Sequence, residues 1–305
     1  MKFGKLQDIS AVRFSLPSDP AANQRHLPGS PTEPAFYIGC TGWSMKEWVG
    51  KVYPPSTKAA GFLRAYSQQF NTIELNTTHY RIPDAATVDK WKQETTPDFR
   101  FCPKVPQSIS HSRDLGLGSD LIPAFAKAIG RLGEKLGCCF LQLPPYFGTD
   151  RAELLSTFLK AFPAAIPLAV EARHESWFSA PQQTNAFLEL LARQQRSAVI
   201  TDVAGRRDVL HMGLAGPTTM VRFVGNGLHP TDYSRADEWI ARLKRWAQRG
   251  LSQVYFFPHE PDNILAPEMA AYLYEKIKKD WPGADSRGPV LHQPPGPQPE
   301  QMSLF

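Results

Sequence analysis

The chain has 305 residues, 42% hydrophobic and 21% charged, with a formal net charge of +5. That composition describes a soluble globular protein with a sizeable core, and it holds no uninterrupted apolar run of membrane-spanning length. The mildly basic balance suits an anionic partner without demanding one.

Residues 1–34 read as an irregular arm. Their opening, "MKFGKLQDISAVRF", lacks the apolar stretch and small-residue cleavage site of a secretory signal, so a cytoplasmic location and no membrane partner are expected. From residue 36 the chain alternates short β-branched or aromatic runs with amphipathic helical patterns. The strand candidates are 36–43, 72–76, 99–105, 138–144, 167–173, 197–203, 219–225 and 253–259. Helical patterns such as "KAAGFLRAYSQQ" (58–69), "RAELLSTFLKAF" (151–162) and "DEWIARLKRWAQ" (237–248) lie between them. Strand–helix alternation of this kind implies parallel strands joined by helical crossovers. Eight units predict an α/β fold, a single TIM (β/α)8 barrel over residues 35–281. The first turn, "GCTGWS", is no G-x-G-x-x-G fingerprint, which removes the main support for a dinucleotide-binding sheet. Cys40, Cys102, Cys138 and Cys139 sit in apolar runs without C-x-x-C spacing and read as reduced core thiols. Residues 282–305, rich in proline and glycine, read as a disordered tail ending in a docking motif.

Period-two alternation predicts which strand residues face inward. In "TIELN" it places Glu74 and Asn76 inside, in "FCPKV" Lys104, in "FLQLP" Gln142, and in "AVEAR" Glu171 with Arg173. Similar logic assigns Asp202, Arg222 and His259 to the interior. Each lies near the C-terminal end of its strand, where active sites of this fold are built. Lys104, Arg173 and Arg222, with Arg81 in the loop after the second strand, form a cationic set suited to phosphate or carboxylate oxygens. Glu74, Glu171, Asp202 and His174 are the candidates for acid–base chemistry, although carboxylates there could equally orient the arginines. His79, His111, His174 and His259 cluster near strand ends, but their spacing fits no local metal motif, and Arg173 beside Glu171 would repel a dication. A metal held by these carboxylates and histidines is possible but not favoured, and no other cofactor is expected. Trp177 in "HESW" offers a stacking platform for a ring or base, or a packed lid.

The blocks "IGCTGWS" with "VYPP", "FNTIELNTTHYRIP", "FRFCPKVPQSISH", "LGCCFLQLPPYF", "VEARHESW" and "MVRFVGN" resemble the YecE-like family, catalogued as domain of unknown function 72. The resemblance spans roughly residues 36 to 280. It implies a TIM barrel and no established activity. Its motif positions carry over to Glu74, Asn76, Tyr80, Arg81, Lys104, His111, Gln142, Glu171, Arg173, His174, Trp177 and Arg222. The chain departs from the family pattern at "THYR", "RFVGN" and "FFPHEPDN", which weakens any transfer of roles to His79 and His259.

The last five residues, "QMSLF", are similar to the peptide by which bacterial DNA polymerases and repair proteins dock on the sliding clamp. Leu304 and Phe305 would enter an apolar pocket, each contributing roughly 1.5–3 kcal/mol if fully buried, and Gln301 would bond its rim. The alternative is that these residues fold back onto the domain. The cationic mouth also brings to mind DNA-repair barrels of the endonuclease IV type, an analogy of fold alone. The leading expectation is a DNA-transaction protein that binds or processes a nucleic acid or other phosphate-bearing ligand, with a hydrolase or nuclease activity open. An enzyme acting on a small sugar or sugar phosphate, and a non-catalytic binding module, are the alternatives.

Overall fold

The computed structural model describes residues 4–292, so the expected docking residues Gln301, Leu304 and Phe305 lie outside the described residues. Among the described residues nine strands alternate with helices: β1 (Ala35–Ile38), β2 (Thr72–Leu75), β3 (Arg100–Pro103), β4 (Cys139–Gln142), β5 (Leu168–Glu171), β6 (Ser197–Asp202), β7 (Thr218–Val224), β8 (Gln253–His259) and β9 (Ser286–Arg287). The fold is α/β and its strand pairings are parallel. Seven strands form a sheet in the order β4-β5-β6-β7-β8-β1-β9, and β2 pairs with β3.

Side chains of alternating parity separate onto two faces. One face gathers Tyr37, Cys102, Phe140, Val199, Met220 and Phe257. The other packs Ile73, Phe101, Ile200 and Val221 in a larger core that includes Trp239 and Leu273 of the covering helices. Hydrogen bonds tie the β2–β3 pair to the larger sheet on both sides. At one seam the Val105 N–H donates to the Phe140 carbonyl (2.9 Å) and the Gly137 N–H to that of Phe101 (2.8 Å). At the other the Glu74 N–H donates to the Cys40 carbonyl (3.1 Å). There the Asn71 amide stands in for a peptide group, accepting from the Ile38 N–H at 3.0 Å and donating to the Phe36 carbonyl at 2.8 Å. Gly39 permits this approach, since a Cβ there would lie 2.0 Å from the Thr72 carbonyl oxygen.

Helix Pro230–Ala247 shows how local sequence fixes an element. Pro230 pre-sets the first turn, the His229 ring accepts the Thr231 N–H at 3.3 Å, and Asp232 accepts the His229 N–H at 2.9 Å. Trp239, Leu243 and Trp246 follow at helical spacing and are fully buried. This helix also corrects one expectation. Val199 belongs to the inner face of β6, so period two turns Asp202 outward, into the helix layer. Its carboxylate accepts the Trp239 indole N–H at 2.9 Å and pairs with Arg235 at 2.9 Å and with Arg207. Burial would raise its pKa, but Arg235 and Arg207 hold it below the usual range.

The four cysteines are buried free thiols, and burial pushes each of them up in pKa. Among the described residues no helix is long and apolar enough to cross a membrane. Within residues 4–34 the arm is irregular apart from one helical turn, Asn23–His26, and it packs against the domain. Asp19 pairs with Arg242 at 2.6 Å, and the Asn23 amide bonds Met212 and Leu214 at 2.8 Å. Residues 282–292, expected as the start of the disordered tail, are instead part of the fold. β9 pairs with β1, Arg287 pairs with Asp98 at 2.9 Å, and the Val290 N–H donates to Gln69 at 2.9 Å. A chain ending at Trp281 should therefore melt several degrees below one ending at His292, measured by differential scanning calorimetry. Equal melting temperatures would show that β9 adds no stability.

Candidate functional site

Arg222, on the inner face of β7, is fully buried. Its Nε and Nη2 donate to the two oxygens of Glu74 on β2, both at 2.9 Å, and its Nη1 donates to Glu171 on β5 at 2.9 Å. The planar fork of arginine suits this bidentate geometry, which a lysine could not reproduce. Each carboxylate has further donors. Asn76 donates to Glu74 at 2.9 Å and the His259 Nε2 lies 3.0 Å from it. Gln142 and the Arg173 Nε donate to Glu171, both at 2.7 Å. The Gln142 carbonyl oxygen in turn accepts the Lys104 ammonium at 2.9 Å. Phe140 floors the network, its ring 5.6 Å from the Arg222 guanidinium and 6.0 Å from the Lys104 nitrogen.

The electrostatics follow from this geometry. Burial alone would raise Glu74 and Glu171, but Arg222 and His259 hold Glu74 well below the usual range, and Arg173 and Arg222 bring Glu171 down to about 2. Burial would lower Arg222, yet its two carboxylate partners raise it. Lys104 differs. Burial and then the Arg222 charge bring it down to about 8, outweighing Glu74 and Glu171. Among the described residues three cations and two carboxylates share the network, which gives those residues a surplus positive charge.

Above the network lies a cavity of about 550 Å³ whose wall includes Asn76, His79, Tyr80, Lys104, Gln142 and His259. Tyr80 is 81% exposed at its rim. Burial holds His79 down to about 4, so it is a neutral imidazole near neutrality, and its ring packs 5.7 Å from that of His111. Burial also lowers His111, whose Nδ1 is 2.9 Å from the Ser110 hydroxyl. Gly4 and Lys5 of the N-terminal arm complete one side of the cavity.

Thus Glu74, Asn76, Lys104, Gln142, Glu171, Arg173, Arg222 and His259 come together as alternation predicts, with Tyr80 and His111 beside them. Three expected roles change. Arg222 is no open anion contact, because its side chain is fully buried and its nitrogens are engaged by carboxylates. Trp177 is no platform: it is 2% exposed, its indole donates to the Phe147 carbonyl at 2.8 Å, and its ring packs 5.3 Å from Phe187. Asp202 is in the helix layer. His174 is half-buried with its Nδ1 2.8 Å from the Ser176 hydroxyl, and Arg81 is exposed. Among the described residues no group of three or more His, Cys, Asp or Glu side chains is arranged to hold a metal ion. Alternation missed the loop residues Thr41, Asn226, Glu260 and Asn263, which line the cavity beyond any strand period.

Removing Arg222 would strip buried Glu74 of its bidentate cation and leave Glu171 with Arg173 as its one ion-pair partner among the described residues, at a cost of about 3–5 kcal/mol. Arg222→Ala should therefore lower chemical-denaturation stability by that much, whereas a near-neutral result would contradict the network. Glu171 also gives a pH signature. Its folded pKa lies below the ordinary 4.5, so it adds stability above that value which disappears as pH falls through about 2. In acid titrations Glu171→Gln should flatten this part of the stability curve.

Comparison with known proteins agrees with the fold and identifies the family. Residues 37–294 match the family described as "Protein of unknown function DUF72". Over 288 residues the chain is 30% identical to the UPF0759 protein YecE of Escherichia coli K12, spanning 88% of this chain and 100% of that protein. It is also 33% identical over 163 residues to the UPF0759 protein YunF of Bacillus subtilis 168, covering 50% of this chain and 57% of the relative. A crystal structure of a DUF72 family protein from Enterococcus faecalis V583 shares the fold, with a TM-score of 0.65 at 20% identity over 80% of this chain and 98% of that one. The chain belongs to the DUF72 family, the family of YecE, whose function is unknown.

Proposed function

We propose that strands β1–β8 close into a TIM barrel and that the cavity at their C-terminal ends binds a phosphate-bearing ligand, a nucleotide or a nucleic-acid strand. The observation that carries this reading is Lys104. Its ammonium lines the cavity, has one hydrogen bond to Gln142, and belongs to a network with more cations than carboxylates. An ammonium has three donors, so two remain for phosphate oxygens. Tyr80, exposed at the rim, supplies a face on which a base can stack. The volume of the cavity suits a mononucleotide or a sugar phosphate. Glu74 and Glu171 are held ionised and engaged by Arg222, which makes them poor general acids and removes the pair of available carboxyls that a glycosidase needs. The geometry therefore favours binding over catalysis. A phosphate held by Lys104 should bind less tightly as salt rises.

Lys104→Met should weaken binding of a nucleoside monophosphate by about tenfold or more, as charge-assisted bonds are lost. Sulfate, whose charge is constant near neutrality, isolates the lysine. Because only the protonated ammonium attracts an anion, sulfate affinity should fall as pH rises through about 8. Calorimetry that finds neither effect would remove the reading.

The proposed setting is DNA replication or repair in the cytoplasm, through the terminal "QMSLF" as a docking peptide for the sliding clamp. The sequence alone supports this part. Gln301 would bond the pocket rim while Leu304 and Phe305 fill it, with affinity near micromolar, about −8 kcal/mol. Changing Leu304 and Phe305 to Ala should abolish binding to the clamp of the source organism without altering the melting temperature. Absence of binding by the intact chain would sink the partner assignment.

A further inference from the structure

Glu260 directly follows β8 and its side chain turns back beneath the loop after β7. Oε2 accepts the backbone N–H groups of Gly227 at 2.9 Å and Leu228 at 3.3 Å. Oε1 is buried with no hydrogen-bond partner among the described residues, and Glu260 as a whole is 5% exposed. The loop is shaped around this carboxyl: a Cβ on Gly225 would fall 2.0 Å from Oε1, so a larger residue there would collide with it. Leaving such an oxygen unsatisfied is costly, and of the two carboxylate oxygens in this state among the described residues, Glu268 Oε2 and Glu260 Oε1, the second belongs to a residue that lines the cavity. Glu260 and Gly225 line the same cavity as Lys104.

We infer that Glu260 selects the ligand: when the Gly225–Leu228 loop that encloses it gives way, its unpartnered oxygen accepts a hydroxyl or amino donor of the molecule whose phosphate Lys104 holds. The inference rests on the phosphate reading for the other end of that molecule. It narrows the ligand class to phosphate esters carrying such donors, as pentose phosphates and nucleotides do. Inorganic phosphate would satisfy Lys104 alone.

The charged and titratable groups around Glu260 are Asp232, Tyr233 and Arg235 of helix Pro230–Ala247, His229 before it, His259 and Asp262 in the adjoining chain, and Lys5 of the arm. Burial, then the Asp232 carboxylate, push the Glu260 carboxyl up to about 7, against the pull of its backbone partners and Arg235. Above that pH the oxygen is an acceptor, and below it the carboxyl is protonated. Recognition of a donor therefore strengthens as pH rises through about 7.

The test compares inorganic phosphate, ribose 5-phosphate, ribose and adenosine on the full chain by calorimetry, for wild type and Glu260→Gln. In the variant the two backbone N–H groups retain the amide oxygen, which turns the NH2 toward the place of Oε1 and sets donor against donor. Wild type should prefer ribose 5-phosphate to inorganic phosphate by about tenfold, the scale of one hydrogen bond to a charged group. Glu260→Gln should erase that preference while keeping inorganic phosphate affinity within about twofold. The wild-type to variant affinity ratio should grow between pH about 6 and about 8, bracketing the Glu260 transition. An unchanged preference, or equal loss of inorganic phosphate, overturns the inference. If wild type ignores both phosphates but binds ribose or adenosine, and the variant does not, Glu260 stands and the Lys104 reading falls.

Discussion

A guanidinium buried among the strand ends is the constraint on which the site depends. Moving an unpaired charge out of water costs several kcal/mol even after relaxation, so Arg222 must have carboxylates within hydrogen-bond reach. Glu74 and Glu171 supply them from β2 and β5, and each then needs donors for its remaining lone pairs. Asn76, His259, Gln142 and Arg173 meet that need, and Gln142 passes the chain of bonds on to Lys104. A buried network satisfied in this way is stiff, because each member has few alternative partners. It holds Lys104 at the wall of the cavity, where its charge borders open space.

Much of this was readable from alternation. Strand residues on the inner face interrupt apolar runs with Glu, Lys, Gln, Arg or His at even spacing, and that pattern survives in the structure for β2, β3, β4, β5, β7 and β8. What alternation does not contain is pairing. Arg222 and Lys104 look alike as inward cations, and only the three-dimensional arrangement shows that one is enclosed by carboxylates while the other lines open space. Asp202 was assigned to the interior by the same alternation, but the phase on β6 is set by Val199 on the inner face, which gives Asp202 the opposite parity. Trp177 follows a strand, where periodicity no longer applies, and its indole found a carbonyl partner in the core.

The chain ends taught a similar lesson. Proline and glycine content suggested that order stops near residue 282, yet β9 needs only backbone pairing with β1 and an arginine placed to meet Asp98. Composition cannot report two residues of strand. At the other end, the arm is fastened by Asp19 and Asn23 and reaches the cavity with Gly4 and Lys5. Glu260 was missed because it sits in a loop. Its signal is the pairing of a buried carboxyl with a glycine, Gly225, that is distant in sequence.

The central claim is a division of labour between two cations: Arg222 holds the strand ends together and Lys104 meets the ligand. A crystal structure of the full chain grown with a nucleoside monophosphate tests it most directly. The account predicts phosphate oxygens within hydrogen-bond distance of the Lys104 ammonium, with the Arg222 fork still closed on Glu74 and Glu171. Phosphate bound against Arg222 with a carboxylate displaced, or bound away from Lys104 altogether, would contradict it.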